Sequence, residues 1–354
     1  MHQLGLFDLH DRYDQLSKRK DPLEELNRMI DWTLFAGLLA ETTAKPRKSA
    51  AGRKPFDRVL LFKMLVLQRM NNLSDERLEY QVGDRLSFMR FLGLDLAGVV
   101  PDAKTMWVFR EELKEKRLME RLFARFDECL RELDVELRSG QIIDATFVTV
   151  PRQRNTREEN KLIKAGAVPI EWGQNSHKLA QKDIDARWTK KNTERFYGYK
   201  NHANVDRDTK LITAWEVTSA QVHDSRILED VLQSPATGGA DVYADSAYRS
   251  HAQEENLVAT GHKSHVHEKG ARNYPLTAAQ KQSNKEKSQV RARVEHVFGS
   301  MTNEMGGITI RTIGCARAKV QIGLLNLVYN IKRVVTLIRK KHFSFSRIIA
   351  PGIS

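Results

Sequence analysis

Only two cysteines, Cys129 and Cys315, occur in 354 residues, and no metal-type spacing joins them. That scarcity argues against a disulfide scaffold or a cysteine-based zinc site and suits a reducing compartment. No run of about 18 apolar residues is present, so no segment is expected to span a membrane. The N-terminus also lacks the charged-then-apolar pattern of a secretory signal. A surplus of acid is missing too: 58 Lys and Arg stand against 45 Asp and Glu, a net charge of +13. Such a balance points toward a polyanionic partner, because Lys and Arg neutralise phosphates in nucleic-acid binding.

The charge is unevenly placed. Residues 1–135 hold 24 basic against 23 acidic side chains, and residues 136–354 hold 34 against 22, so +12 of the +13 lies in the second part. That basic part nevertheless carries three acids in distinctive settings: Asp144 in GQIIDATFV, Asp245 in DVYADSAYRS and Glu295 in VRARVEHVFGS. Short apolar runs precede the first two and read as buried strands, whereas Glu295 falls in a charged segment with helical spacing. Carboxylates on two neighbouring strand ends, with a third on a helix packed across them, would form an oxygen-rich pocket for two Mg²⁺ ions. Mn²⁺ would serve in their place, and such a site drives in-line attack on a phosphodiester. Structural salt bridges to nearby arginines are the competing account of the acids.

Along the chain, residues 1–22 read as a mobile tail and 23–135 as an all-helical domain. Residues 23–42 place Leu26, Ile30, Leu34, Leu38 and Leu39 at helical spacing. Ser74, followed by Asp75 and Glu76, is an expected N-cap, and Pro101-Asp102 opens a later helix. The stretch TTAKPRKSAAGRKP carries Lys45, Arg47, Lys48, Arg53 and Lys54 and no acid, which suits a solvated linker lying along a phosphate backbone. The helices either read DNA through a helix-turn-helix or only pack and dimerise.

From Gly140 the pattern changes. Strands are expected near 141–149, 196–205, 210–217, 240–245 and 263–267, and helices near 222–233, 247–259, 277–302 and 317–341. Three strands, a helix, a strand, a helix, a strand and a helix is the order of an α/β ribonuclease-H-like core, a mixed five-stranded sheet with flanking helices. Asp144, Asp245 and Glu295 fall on its first strand, fourth strand and late helix. This domain is expected over 136–342, with a C-terminal tail at 343–354. Residues 151–195, with 11 basic and 6 acidic side chains, interrupt the first hairpin and read as a basic insertion that contacts DNA or orders on it.

Other residues carry weaker signals. Lys190, Lys191 and Lys200 surround Phe196, Tyr197 and Tyr199, an interleaving that suits phosphate contacts with base stacking, although alternating strand packing accounts for the aromatics nearly as well. His223 beside Asp224 reads as a helix-starting pair or as a group adjusting a water. His265 and His267 would share a strand face and His262 lies nearby, but no further zinc ligands stand in register.

Taken in order, several stretches resemble bacterial insertion-sequence transposases of the DDE class, in the insertion-sequence-five (IS-five) family. They are NLSDERLEYQVGDRLSFMRFLGL, PDAKTMWVFREEL, IDATFV, WTKK, FYGYKNHANVD, VHDS, ADSAY, RARVEHVFG and LLNLVYNIKR, together covering roughly residues 20–340. The resemblance implies a DNA transposase that binds terminal inverted repeats, cuts with Mg²⁺ and joins 3′ ends to target DNA. It implies Asp144, Asp245 and Glu295 as metal-binding catalytic acids, and a dimer or higher assembly on double-stranded DNA. A bacterial, cytoplasmic protein associated with the nucleoid when DNA-bound is expected. Arg291, one helical turn before Glu295, matches the arginine of the related glutamate signature. The signature's tyrosine and lysine positions hold Ser288 and Thr302, which leaves the phosphate contacts to Arg293 or another base. Gln3-Leu4-Gly5-Leu6-Phe7 resembles the pentapeptide by which bacterial replication proteins dock on the sliding clamp; local docking of the N-terminus is the alternative. Two other activities remain open: a transposase-derived DNA-binding protein without transposition, and a structure-specific nuclease on the same fold.

Overall fold

The computed structural model describes residues 8–43, 54–133, 135, 137–191, 193–271 and 274–340. The chain separates into two compact units, one formed by 1–135 with 331–354 and the other by 136–330.

The first unit is helical. Asp21, Asp57, Ser74 and Asp102 each accept a hydrogen bond from a first-turn amide of the helix that follows, at Pro22–Met29, Arg58–Asn71, Asp75–Asp84 and Ala103–Glu115. These caps satisfy amides that have no partner inside the helix. Arg58–Asn71 is buried from Leu61 to Arg69 and forms the centre of the unit. Its Phe62 joins Trp32, Phe35, Phe91 and Phe126 in an aromatic cluster with ring centroids 4.9–6.5 Å apart. The helical spacing over 23–42 is interrupted at Asp31, whose carboxylate takes the Thr33 amide and starts the tight turn Trp32–Phe35 before Ala36–Ala40. Part of the expected mobile tail is also helical, at Asp8–Lys18. The Arg90 guanidinium holds it by donating to Tyr13 O and Ser17 Oγ while pairing with Asp21.

The second unit is built on a six-stranded sheet: β1 (Gln141–Thr149), β2 (Arg187–Lys191), β3 (Glu194–Asp206), β4 (Ile212–Ser219), β5 (Asp241–Ala244) and β6 (Lys263–Ser264). The antiparallel β1, β3 and β4 and the parallel β1, β5 and β6 form the ribonuclease-H-like core expected from the sequence. β2 is the strand that the five-stranded expectation missed, and it pairs only with the first residues of β3.

β1 is central, and Ile142 and Ile143 are both fully buried, as a strand covered on both faces requires. One face packs Ile143, Val242, Ala244 and Tyr248 against helix His251–Ala259 through Leu257. The other packs Val148, Tyr199 and Val217 against helix Cys315–Arg339 through Ala318 and Ile322. Polar residues of LLNLVYN finish this second contact: Asn326 exchanges amide hydrogen bonds with Asn201, and Asn330 clasps the backbone N–H and C=O of Ile212. Gly198 of β3 pairs with Thr149 at the end of β1. With φ +145°, a Cβ there would stand 2.2 Å from the Val148 carbonyl oxygen.

The described residues of 151–195 carry three short helices and the strand β2. Helix Arg157–Lys164 carries a capping box from Thr156 and Glu159, and Trp172 is fully buried with its Nε1 donating to Glu159. The buried Asp183 carboxylate accepts from the Tyr199 hydroxyl at 2.8 Å, from the amides of Asp185 and Ala186 at 2.9 Å, and from Gly314 N at 3.2 Å. The short helices of this segment, at Arg157–Lys164, Ile170–Gly173 and Ser176–Ala180, hold too few turns to show a periodic apolar face in the sequence.

Candidate active site

Asp144 is the fourth residue of β1, and Asp245 directly follows β5. The parallel register pairs Ile143 with Ala244, so the next residue on each chain is an aspartate. Two apolar runs that must bury together therefore deliver two carboxylates side by side. Helix Ala278–Asn303 crosses them, started by a capping box between Thr277 and Gln280. Its successive turns meet the loop that follows β6: Asn284 bonds the backbone of Glu268, Lys287 donates to Val266 O, and Ser288 meets His267 Nε2 at 3.3 Å. One turn later, Arg291 Nη1 donates to Asp144 Oδ2 at 2.7 Å.

The electrostatics of the two aspartates differ. Burial pushes the Asp144 carboxyl above its usual range and the Asp245 charge adds to this, while Arg291 and the Ala145 amide oppose it. Burial also raises Asp245, but the Ser246 hydroxyl, the Arg291 charge and the amides of Ser246 and Ala247 outweigh it and hold that group below the usual range. Nearby, His267 is pushed down by burial and by the Arg291 charge.

Hard cations prefer such oxygen donors, so the paired carboxylates fit a divalent metal in chemical kind. Glu295 lies one turn beyond Arg291 and is exposed. Among the described residues no group of three or more His, Cys, Asp or Glu stands at metal-holding distances. The fold thus brings the two aspartates and Arg291 together and leaves Glu295 exposed on the same helix. Ser288, at the tyrosine position of the signature, faces His267, and Thr302, at the lysine position, bonds the Phe298 carbonyl.

The basic residues fall into three groups. Lys190, Lys191 and Lys54 are exposed. Lys200 is buried, its ammonium bonded to Asp224 Oδ1 at 2.7 Å and Val222 O at 2.8 Å, so its charge is neutralised inside the fold. Arg293 donates to Asp208 and to Arg207 O. Lys45, Arg47, Lys48 and Arg53 lie outside the described residues, as do Gln3, Leu4, Leu6 and Phe7.

The histidines have protein partners. His223 caps the turn Asp224–Arg226, His262 bonds Thr260 and Gln233 O, and His265 stacks on Tyr243 while meeting Asp241.

Sequence reasoning missed the polar layer near the acids. His202 is fully buried, and desolvation lowers it to about 4, so it is neutral near pH 7. Its Nδ1 stands 4.0 Å from Asp224 Oδ1. The signal was present in β3, where Lys200, Asn201, His202 and Asn204 interrupt a strand that a mixed sheet buries on both faces.

Residues 136–331 match the family model described as "Transposase DDE domain", and residues 10–112 match one described as "Transposase domain". Among solved structures, a piggyBac transposase synaptic complex with hairpin DNA is similar at 13% identity with a TM-score of 0.48, covering 93% of this chain and 77% of that one. No helix among the described residues is long and apolar enough to cross a membrane.

Proposed function

The chain belongs to the DDE-domain transposase family, and from that premise we propose that it cuts DNA at the ends of an insertion sequence of the IS-five type and joins the freed 3′ ends to target DNA. The observation that carries this reading is the register of β1 and β5, which places Asp144 beside Asp245 within the domain that matches the family. Transposases bind DNA, and the net charge of +13 suits that partner.

In this reading Asp144 and Asp245 hold the metal, with Glu295 supplying a further oxygen. Mg²⁺ is the expected ion, two per site, with Mn²⁺ able to substitute. Bound there, the ions would activate an oxygen nucleophile and stabilise the leaving oxygen of the phosphodiester. Arg291 neutralises Asp144 in the absence of a cation, and its guanidinium then lies beside the scissile phosphate, where planar forked donors suit phosphate oxygens. Lys190 and Lys191 contact the DNA backbone from the folded insertion. Both ends of the element must be held at once, which calls for a dimer or higher assembly on DNA.

The test is cleavage of the element's own ends with Mg²⁺, by the parent and by Asp144→Asn. The variant should melt cooperatively and lose cutting to background. A variant that cuts as well as the parent would remove Asp144 from the chemistry. Adding target DNA separates joining from cutting alone, since a structure-specific nuclease would yield no joined product.

A further inference from the structure

The hairpin of β2 and β3 presents an aromatic and cationic site to solvent on the insertion. Its antiparallel register sets Trp188 opposite Tyr197 and Lys190 opposite Arg195, and the two-residue period puts these two pairs on one face. Trp188 and Tyr197 meet at a centroid distance of 5.1 Å with the rings tilted by 39°. Trp188 keeps 43% of its surface exposed, although Trp172 of the same segment is fully buried. The Arg152 guanidinium sits 5.5 Å from its ring centre.

Two open cavities of about 620 Å³ each meet at Trp188. Arg152, Thr189, Lys190 and Arg195 complete the first, which has three cations and no carboxylate. The second runs past Tyr197 and is lined by Gln221, Arg187 and Arg226, with Asn155 and Asn160 bonded to each other at its wall. Arg187 Nε is buried and has no hydrogen-bond partner among the described residues.

We propose that this is a binding site for an unpaired nucleotide of the DNA, its base stacked on Trp188 and its phosphates held by Arg152, Lys190 and Arg195. The proposal rests on the reading of the chain as a DNA-acting enzyme and names the form of DNA that one surface takes. Cations alone would serve any phosphate backbone. An indole between them is useful only to a base whose face is free, and paired bases have both faces covered by neighbours in the stack. The Gln221 side-chain amide in the second cavity offers a donor and an acceptor to the edge of such a base. Asp183, bonded to Tyr199 and to Gly314, anchors the segment that leads into β2.

The experiment measures affinity of the full chain, without catalysis, for two probes. One is a 20-base-pair duplex with a three-thymidine overhang, and the other is the same duplex with an abasic overhang. One stacked base is worth about 1–3 kcal/mol, so the parent should prefer the thymidine overhang by about 5- to 140-fold. Trp188→Ala should bring that ratio close to one, and Trp188→Phe should restore most of it. Lys190→Ala and Arg195→Ala should weaken both probes alike, keep the ratio and make binding less sensitive to salt. A parent without the preference, or a Trp188→Ala chain that keeps it, would overturn the proposal. Cutting at the element ends is scored separately. Cutting with an unchanged ratio defeats this site alone, and an altered ratio without cutting defeats the transposition reading while the site stands.

Discussion

Arg291→Gln isolates what the helix contributes to the aspartate pair. The guanidinium and the Asp144 carboxylate meet at 2.7 Å, with side chains 20% and 19% exposed. Breaking a fully buried pair costs about 3–5 kcal/mol; with a fifth of each group in water, about 2–3 kcal/mol is expected here. For a unit of about 200 residues that corresponds to a melting point lower by about 4–12 °C.

The loss should depend on pH in a defined direction. Asp144 already titrates above its unfolded value, so its charged form is disfavoured by folding, and Arg291 is the largest influence opposing this. Its removal raises the group further. The extra destabilisation is therefore present above the folded pKa of Asp144 and fades as pH falls through it, because a neutral carboxyl needs no cation. Asp144→Asn should remove most of the cost of Arg291→Gln, since the double variant buries no unpaired charge. Mg²⁺ should stabilise Arg291→Gln by about 2.7 kcal/mol at a hundredfold excess over its dissociation constant, and the parent by less. Thermal melts of the four chains between pH 4 and 8, with and without Mg²⁺, decide the matter. If Arg291→Gln melts with the parent at pH 7, or the double variant is no better than the single, the electrostatic account of the site fails.

Two further outcomes test the periphery. Asp183→Ala strands the Tyr199 hydroxyl and three amides in the interior and should cost about 3–5 kcal/mol, read by urea unfolding and by faster protease cleavage within 151–195. The pentapeptide Gln3-Leu4-Gly5-Leu6-Phe7 is proposed to dock on the bacterial sliding clamp. Immobilised clamp should retain the parent and release a Leu6→Ala/Phe7→Ala chain, and a parent that is not retained rejects that contact.

Legibility followed element length and burial. The strands of 141–149, 196–205 and 210–217 were readable because each carries an apolar run or alternation, and they appear as β1, β3 and β4 within a few residues. The long helices of 277–302 and 317–341 carry enough turns for their period to show. Helices of four to eight residues in 151–195 do not, and the buried Trp172 and Asp183 that hold them together find their partners only in three dimensions. Lys200 shows the same limit: in the string it reads like Lys190 and Lys191, and only folding sets it against Asp224.

By itself the sequence determined the kinds of atom available: a basic chain with almost no thiols, two aspartates each closing an apolar run, and a late helix with Arg291 and Glu295 one turn apart. Those properties are local, because hydrophobic period and charge are written residue by residue. Only the tertiary structure decided which of them meet. Parallel pairing of β1 with β5 sets Asp144 beside Asp245 across 101 positions of chain, and the crossing helix puts Arg291 rather than Glu295 on the carboxylate. Register and helix rotation come from packing many distant side chains at once, so no local pattern could have specified them.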